Sequence, residues 1–160
     1  MLQGAGAALG SGWFLVAFIF VLGSVLPARA ALGGDTVSIL ADQGKMQGTR
    51  KQIKVGSYAV QEIQAQNGTV VREYQDADGK VFAVAWHGPF LPDMQEILGS
   101  YYDQYAQARQ TEIAVRRGRH PVVISQPGLV VQIGGHPRWF IGKAYIPAKL
   151  PQGLRAEDIQ

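Results

Sequence analysis

The chain has 160 residues, of which 47% are hydrophobic and 17% are charged, and it contains no cysteine. This length and composition predict one small globular domain with a short appendage. The missing thiols exclude disulfide bonds and lipid attachment through cysteine, so stability must come from a hydrophobic core. A formal net charge of +3 is too small to indicate binding to nucleic acid or to an anionic membrane surface.

The appendage is an apolar segment near the amino terminus. Residues 12–26 carry no charge and are followed by Pro27 and the small-x-small pattern Ala28-Arg29-Ala30. This arrangement is typical of a signal peptide, residues 1–30, that is cut after Ala30. The alternative is a retained membrane anchor, but the apolar run is short and Pro27 breaks it. We therefore expect an exported protein, periplasmic or secreted, that contacts the membrane only if this segment stays uncleaved.

Residues 31–57 predict little regular structure. Asp35 is suited to cap a short helix, but Gly44 and Gly48 interrupt any extension of that helix. We expect one or two helical turns followed by irregular chain, with the basic residues near its end on a solvated connector.

Three strand-like runs at residues 58–65, 69–75 and 81–87 come next. The turns between them, Asn67-Gly68 and Asp78-Gly79, predict an antiparallel meander. The third run is apolar on both sides, so we expect it to be a central strand that is covered on both faces.

The register of the meander can be argued from charge. Two-residue loops would set Glu62 opposite Glu73, whereas three-residue loops with a glycine bulge set Glu62 opposite Arg72. Because directly opposed like charges destabilise a sheet, we expect the second register. It predicts Val60 opposite Tyr74 opposite Phe82. One face would then carry Val60, Val70, Tyr74, Phe82, Val84 and Trp86, and the other Ile63, Val71, Ala83 and Ala85.

The segment after Gly88-Pro89 predicts the main helix. Pro92 suits a first helical turn, and Asp93 suits the positive end of the helix dipole. Apolar residues then recur at helical spacing as far as about Gln110, so we expect this helix to cover one face of the sheet. Gly99 lies inside it and suggests close backbone packing, because glycine costs about 1 kcal/mol relative to alanine in a helix.

The last part of the chain predicts three more strands, at residues 121–125, 129–133 and 139–146. A tail follows, with a short helical turn expected at residues 156–159. The predicted fold class is therefore α+β, an antiparallel sheet of five or six strands packed by one main helix. This domain spans residues 58–147, after the signal peptide and the segment 31–57, and before the tail 148–160.

Several motifs of the chain resemble those of one protein family. They are A-L-G-G at residues 31–34, V-F-A-V-A-W-x-G-P-F-L-P-D at 81–93, L-G-S-Y at 98–101, G-G-H at 134–136 and A-Y-I-P at 144–147. Together they resemble the exported proteobacterial proteins of domain of unknown function family 2844. The resemblance covers essentially the whole chain after residue 30. It implies an exported protein of a Gram-negative bacterium, and it assigns no activity and no catalytic residue.

The usual signatures of metal, cofactor and hydrolytic sites are missing from the sequence. His87, His120 and His136 form no H-x-H or H-x-x-x-H pair, so we expect structural or exposed histidines and no bound metal. Ser100 lies in a helical pattern and not on a strand-to-helix elbow, which argues against a serine hydrolase. The glycine pairs lack the spacing of a phosphate-binding loop, so we expect no cofactor.

Five residues remain as candidates for a ligand site: Glu62, Arg72, Glu73, His87 and Tyr102. The first four are polar side chains on the predicted strands. Tyr102 lies beside the apolar stripe of the predicted helix and is expected to stay partly exposed, whereas the other aromatic residues, Trp86 and Trp139 among them, are expected in the core.

The sequence leads to two hypotheses for function. The first is a non-enzymatic binding or accessory protein of the cell envelope or surface, with a protein partner there. The alternative is a small-ligand-binding or carbohydrate-binding enzyme whose polar groups converge only in the folded chain. A deep pocket that joins two or more of Glu62, Arg72, Glu73 and His87 would favour the enzyme, and a flat or edge-strand surface would favour the binding protein.

Overall fold

The computed structural model describes residues 32–115 and 121–160, where seven strands form one antiparallel sheet with the order β1-β2-β3-β4-β7-β6-β5. The predicted α+β class is confirmed, but the predicted count of five or six strands is wrong. The expected signal peptide lies outside the described residues. The strands are β1 Thr49–Val55, β2 Tyr58–Gln64, β3 Val70–Gln75, β4 Val81–Gly88, β5 Val122–Gln126, β6 Leu129–His136 and β7 Trp139–Tyr145.

The strand that the prediction missed is β1. It pairs with β2 along its whole length, and the hairpin turns at Gly56-Ser57, so the expected boundary at residue 57 falls inside this turn. All seven residues of β1 are exposed, and three of them are cations. Because an edge strand with no buried side shows no alternation of apolar and polar residues, the sequence pattern did not reveal it.

The helix α1, Thr36–Lys45, precedes β1 and is longer than the expected one or two turns. Asp35 caps it as expected: its carboxylate accepts a hydrogen bond from the Ser38 backbone N–H at 3.2 Å. The Ser38 hydroxyl accepts one in return from the Asp35 N–H at 2.9 Å. This reciprocal cap satisfies two of the backbone donors at the helix start. Ile39 packs from α1 against Ile63 in the core beside the sheet.

The register of the meander is confirmed in its first hairpin and wrong in its second. Glu62 lies opposite Arg72, and Val60 lies opposite Tyr74. Tyr74, however, lies opposite Ala83 and Gln75 lies opposite Val81, so Phe82 is an extra residue in a β-bulge. One extra residue reverses the side of every residue beyond it. Val84 and Trp86 therefore join Ile63 and Val71, whereas Ala83 and Ala85 join Val60 and Tyr74.

The sheet has two differently covered faces, and β4 is buried between them as the expected central strand. The face that carries Ile63, Val71, Val84 and Trp86 packs against helices and is called the helix face. The face that carries Val60, Tyr74, Ala83 and Ala85 packs against the chain after β7 and is called the tail face.

The main helix is split into α2, Met94–Leu98, and α3, Tyr102–Val115, with a 3-10 turn between them. Asp93 caps α2, and its carboxylate accepts a hydrogen bond from the Gln95 N–H at 2.8 Å. Gly99 has a φ of 50°, which side-chain-bearing residues rarely adopt, and this explains the glycine better than close packing does. The buried residues Met94, Ile97, Leu98 and Tyr105 pack on the helix face.

The tail after Ile146 crosses the tail face and is held there by side chains of the sheet. Ile159 is buried among Val60, Tyr74 and Phe82, and a 3-10 turn at Ala156–Asp158 matches the expected helical turn. The Tyr74 hydroxyl donates to the Gln160 carbonyl at 2.9 Å and accepts from the Gln160 N–H at 3.1 Å. This segment covers the β2–β4 part of the face and reaches β7 at Lys143 and Tyr145. Among the described residues, the rest of the β5–β7 part stays open.

Candidate functional site

The open part of the tail face contains a groove of about 560 Å³, which is within the usual size range of ligand sites. Its first wall is the tail, at Glu157, Ile159 and Gln160, and its second wall is the start of β5, at Pro121 and Val123. Between these walls the floor is formed by β4, β7 and β6.

Strand pairing explains why side chains that are distant in sequence line this groove. Ala85, Lys143, Gln132 and Val123 pair in turn across β4, β7, β6 and β5, so they form one row on the tail face. The next row consists of His87, Ile141 and Gly134. Since residues that pair across a sheet point to the same face, both rows face the groove.

Gly134 keeps the groove open at the second row. An added Cβ at this residue would lie 3.9 Å from both the Ile141 and the Pro121 side chains, which is ordinary van der Waals contact. A glycine is therefore not required here by packing or by backbone conformation. Because Gly134 has no side chain, space remains between β6 and Pro121 in the second wall of the groove.

Two aromatic rings lie at one end of the groove. The His87 and Trp139 ring centroids are 6.0 Å apart, with an angle of 41° between the planes. Trp139 is 49% exposed and Ile141 is 50% exposed, so an apolar surface is available to solvent beside the His87 ring. The side chains of His87 and Gln132 form no hydrogen bond with the described residues. Both are thus available to a ligand.

The structure brings together some of the predicted site residues and separates others. Arg72 and His87 line the groove, and Glu62 lies on the same face, where it accepts a hydrogen bond from Arg72 Nε at 2.7 Å. Arg72 also donates to the Gln160 carbonyl at 2.9 Å, so its guanidinium holds the tail. Glu73 lies on the helix face. Tyr102 is half-buried on α3, with its ring 6.2 Å from that of Tyr105.

A family model described as "Protein of unknown function (DUF2844)" matches residues 28–159. The chain belongs to the DUF2844 family. The match includes the strands that form the groove floor and the tail as far as Ile159, and it confirms the resemblance seen in the sequence motifs. No curated protein and no solved structure matches this DUF2844 protein.

The prediction missed several groove residues of this DUF2844 protein, above all Gln132, Ile141 and Lys143. It was also wrong for Trp139, which was expected in the core and is 49% exposed. These residues lie on β6 and β7, and β7 pairs with β4 across 52 to 62 residues of sequence, which no local pattern reveals. One signal was available on β7. From Ile141 to Tyr145 small residues alternate with large ones, and a Cβ at Gly142 would overlap the Trp86 indole. The small residues lie on the helix face, where packing is tight, so the large residues between them lie on the tail face.

Glu73 belongs to a second polar cluster, which is sealed inside the DUF2844 fold. Its carboxyl group faces that of Asp42 from α1, and both side chains are fully buried. No other group of the described residues donates a hydrogen bond to their oxygens. Burial raises the pKa of Asp42 to about 7 and, together with the nearby Asp42 charge, the pKa of Glu73 to about 8. The higher pKa of Glu73 keeps its carboxyl largely protonated at neutral pH.

The charged groups around this pair offset only part of the rise in pKa that burial causes. Lys45 on α1 lowers the pKa of Asp42, whereas Glu96 on α2 raises it. Arg50 on β1 lowers the pKa of Glu73, and its guanidinium donates to Gln61 at 3.0 Å. Gln61 in turn donates to Gln75 at 2.9 Å. This connected network joins α1, β1, β2 and β3, so we assign it a structural role.

Two further findings concern residues 32–115 and 121–160 only. In this part of the chain no three histidine, cysteine, aspartate or glutamate side chains are grouped to hold a metal ion. His120 lies outside it, so the expectation of no bound metal stays a prediction. None of the helices there is long and apolar enough to cross a membrane.

Proposed function

We propose that this DUF2844 protein is an exported, non-enzymatic binding protein of the cell envelope or surface, and that the groove is its ligand site. One observation carries the proposal. A groove of suitable volume holds exposed apolar side chains next to polar groups that have no partner in the described chain. Exposed apolar surface that is bordered by polar residues is typical of binding sites.

The groove offers two kinds of contact to a ligand. Val123 and Ile141 in the lining supply apolar area, and Trp139 adds more beside the His87 ring; each is 41–50% exposed. The His87 ring and the Gln132 amide supply donors and acceptors that would fix the orientation of the ligand. This combination suits a molecule with one apolar side and hydrogen-bonding groups at its edge.

The enzymatic alternative receives less support from the same site. The groove does join Arg72 and His87, as that alternative required. However, its described lining contains no hydroxyl or thiol side chain that would serve as a nucleophile beside His87. The one carboxylate in the lining, Glu157, forms an ion pair with Arg155 at 3.4 Å. The Lys143 amine donates to the tail carbonyls of Ala156 and Ile159. Because the described lining also holds no pair of side-chain carboxyls, the geometry favours binding over turnover.

Mapping of bound fragments tests the proposed site. Isotope-labelled protein, expressed from the full-length sequence, would be titrated with a panel of small sugars and aromatic carboxylates while its NMR spectrum is recorded. We expect chemical-shift changes at the His87 ring, the Gln132 side-chain amide and the Trp139 indole. Fragments that shift none of these signals, or that shift only signals from the helix face, would contradict the proposed site.

The proposed export rests on the apolar residues 12–26 and on the pattern that ends at Ala30. Amino-terminal sequencing of protein recovered from fractionated cells and from the medium tests it. We expect a chain that begins at Ala31. A chain that still begins at Met1 would contradict cleavage and would indicate a protein tethered to the membrane.

A further inference from the structure

The strand β5 forms an open edge of the sheet beside the groove. It is the last strand in the sheet order, and within the described residues it pairs only with β6. In an antiparallel pair, alternate residues direct their backbone N–H and C=O groups away from the partner strand. Gln126 and Leu129 flank the two-residue turn Pro127-Gly128 as a hydrogen-bonded pair, so the outward groups belong to Val123 and Ser125.

The two edges of the sheet differ in charge. The edge strand β1 carries Arg50, Lys51 and Lys54, and charged side chains of this kind hinder the addition of a further strand. The edge strand β5, with the sequence V-V-I-S-Q, carries no charge, and most of its residues are exposed. Natural proteins protect their open edges, so an uncharged edge that has no strand partner among residues 32–115 and 121–160 and lies beside a groove indicates a place for a partner.

The edge and the groove are continuous at Val123. This side chain lines the groove, is 41% exposed, and lies on β5 in register with Gln132 on the floor. A strand added to β5 would place every second side chain on the tail face, next to Val123. The charged groove residues Arg72 and Lys143 outnumber Glu157, so acidic residues in such a strand are favoured over basic ones.

We propose that an extended peptide segment of a partner protein pairs with the outer edge of β5 and places alternate apolar side chains at the groove. This inference rests on the proposed function of the groove and identifies its partner class. Backbone hydrogen bonds to Val123 and Ser125 supply affinity that is independent of sequence, and the groove selects the side chains.

The probe is a set of twelve-residue peptides, selected from a displayed random library on protein expressed from the full-length sequence. We expect the selected peptides to alternate apolar residues and to contain more acidic than basic ones. On binding, hydrogen exchange should slow at the backbone amides of Val123 and Ser125. Side-chain contacts alone would not protect these outward amides.

Matched substitutions at the two edges sharpen the test. Val123→Lys on β5 and Ile53→Lys on β1 each add a cation to an edge strand, at side chains that are 41% and 40% exposed. We expect at least about tenfold weaker peptide binding for Val123→Lys and unchanged binding for Ile53→Lys. Ser125→Pro removes one outward N–H outside the groove lining and should also weaken binding.

The outcomes separate the two proposals. Failure to select any peptide, or bound peptide without slower exchange at β5, overturns the strand-addition proposal. If peptides that bind without slower exchange at β5 lose affinity when Gly134→Val fills the groove, that result would support the groove as a ligand site and overturn only the pairing with the β5 edge. Protection of β5 that rises with protein concentration in the absence of peptide would identify a second copy of this chain as the occupant, which also overturns the proposal.

Discussion

The two faces of the sheet are covered in different ways, and the difference explains where a ligand can bind. The helix face is packed by α1, α2 and α3, whose side chains bury a continuous core and even two carboxyl groups. The tail face is covered by an irregular segment that contains only two short 3-10 turns. Such a segment covers only the strands that it crosses. It reaches β7 at Lys143, and within the described residues it leaves most of the β5–β7 part of the tail face open.

Polar groups also have different roles on the two faces. On the helix face the Gln61 and Gln75 side chains are hydrogen-bonded to each other, and the buried Glu73 carboxyl lies near that of Asp42. On the tail face Arg72 and Lys143 hold the tail, but His87 and Gln132 have no such partner among the described residues. Perturbed pKa values are often taken as a sign of function. In this molecule the two carboxyl groups with strongly raised pKa values, Asp42 and Glu73, lie on the sealed side of the sheet.

The largest expected effect comes from the two tryptophans of the described chain. Trp86 is 1% exposed on the helix face, and Trp139 is 49% exposed on the tail face. We expect Trp86→Ala to lower the free energy of unfolding by about 3 to 5 kcal/mol, because it leaves a large cavity. Trp139→Ala should lower the free energy of unfolding by less than about 1 kcal/mol. Urea unfolding of both variants measures the two losses in free energy of unfolding. Equal losses would contradict the assignment of one sealed and one open face.

A smaller loss is expected for the anchor of the tail. Ile159 is 1% exposed in the tail-face core, so Ile159→Ala should lower the free energy of unfolding by about 2 kcal/mol. The value is at the low end for such a substitution because an irregular segment can move to fill the space. As a control, Ile141→Ala, at a side chain that is 50% exposed, should have little effect. A neutral Ile159→Ala variant would show that the tail is not docked in solution.

The carboxyl pair predicts a dependence of stability on pH. The folded-state pKa values of Asp42 and Glu73, about 7 and about 8, lie above the unfolded values near 4. The folded protein therefore binds more protons, and this contribution to stability is full below pH 4 and is lost as the pH rises through 7 to 8. We expect a melting temperature several degrees lower at pH 9 than at pH 6.

Two variants identify the origin of that pH dependence. Glu73→Gln keeps the shape of the side chain and removes one titrating group, so it should weaken the fall in melting temperature between pH 6 and pH 9. Glu62→Gln changes a partly exposed ion pair on the tail face, so it should leave the dependence unchanged. An identical pH profile for Glu73→Gln and the wild type would exclude the buried pair as the cause.

Local signals in the sequence predicted most of the fold. Asp35 and Asp93 marked the starts of helices, and the charges of Glu62 and Arg72 set the first hairpin register because the two residues are close in sequence. The bulge at Phe82 had no such signal, and it reversed the faces assigned to Val84 and Trp86. The pattern of β1 was hidden because none of its side chains is buried.

The candidate site was predictable only in part, since it depends on pairings between distant segments. Arg72 and His87 were identified one by one as polar strand residues, but the groove between them forms when β7 pairs with β4. Likewise, Glu73 was a candidate because it is charged, and its burial against Asp42 follows from the packing of α1 on β3. Tertiary contacts of this kind leave no periodic trace in the sequence.

The central claim is that the groove on the tail face binds a ligand, and one pair of affinities tests it most directly. Gly134→Val fills the groove with methyl groups next to Ile141 and Pro121, whereas Gly44→Val adds the same groups to open space on α1. The dissociation constant of the strongest fragment, measured by calorimetry, should rise at least about tenfold for Gly134→Val and stay unchanged for Gly44→Val. Equal affinity of wild type and Gly134→Val would show that ligands bind elsewhere and would contradict the account.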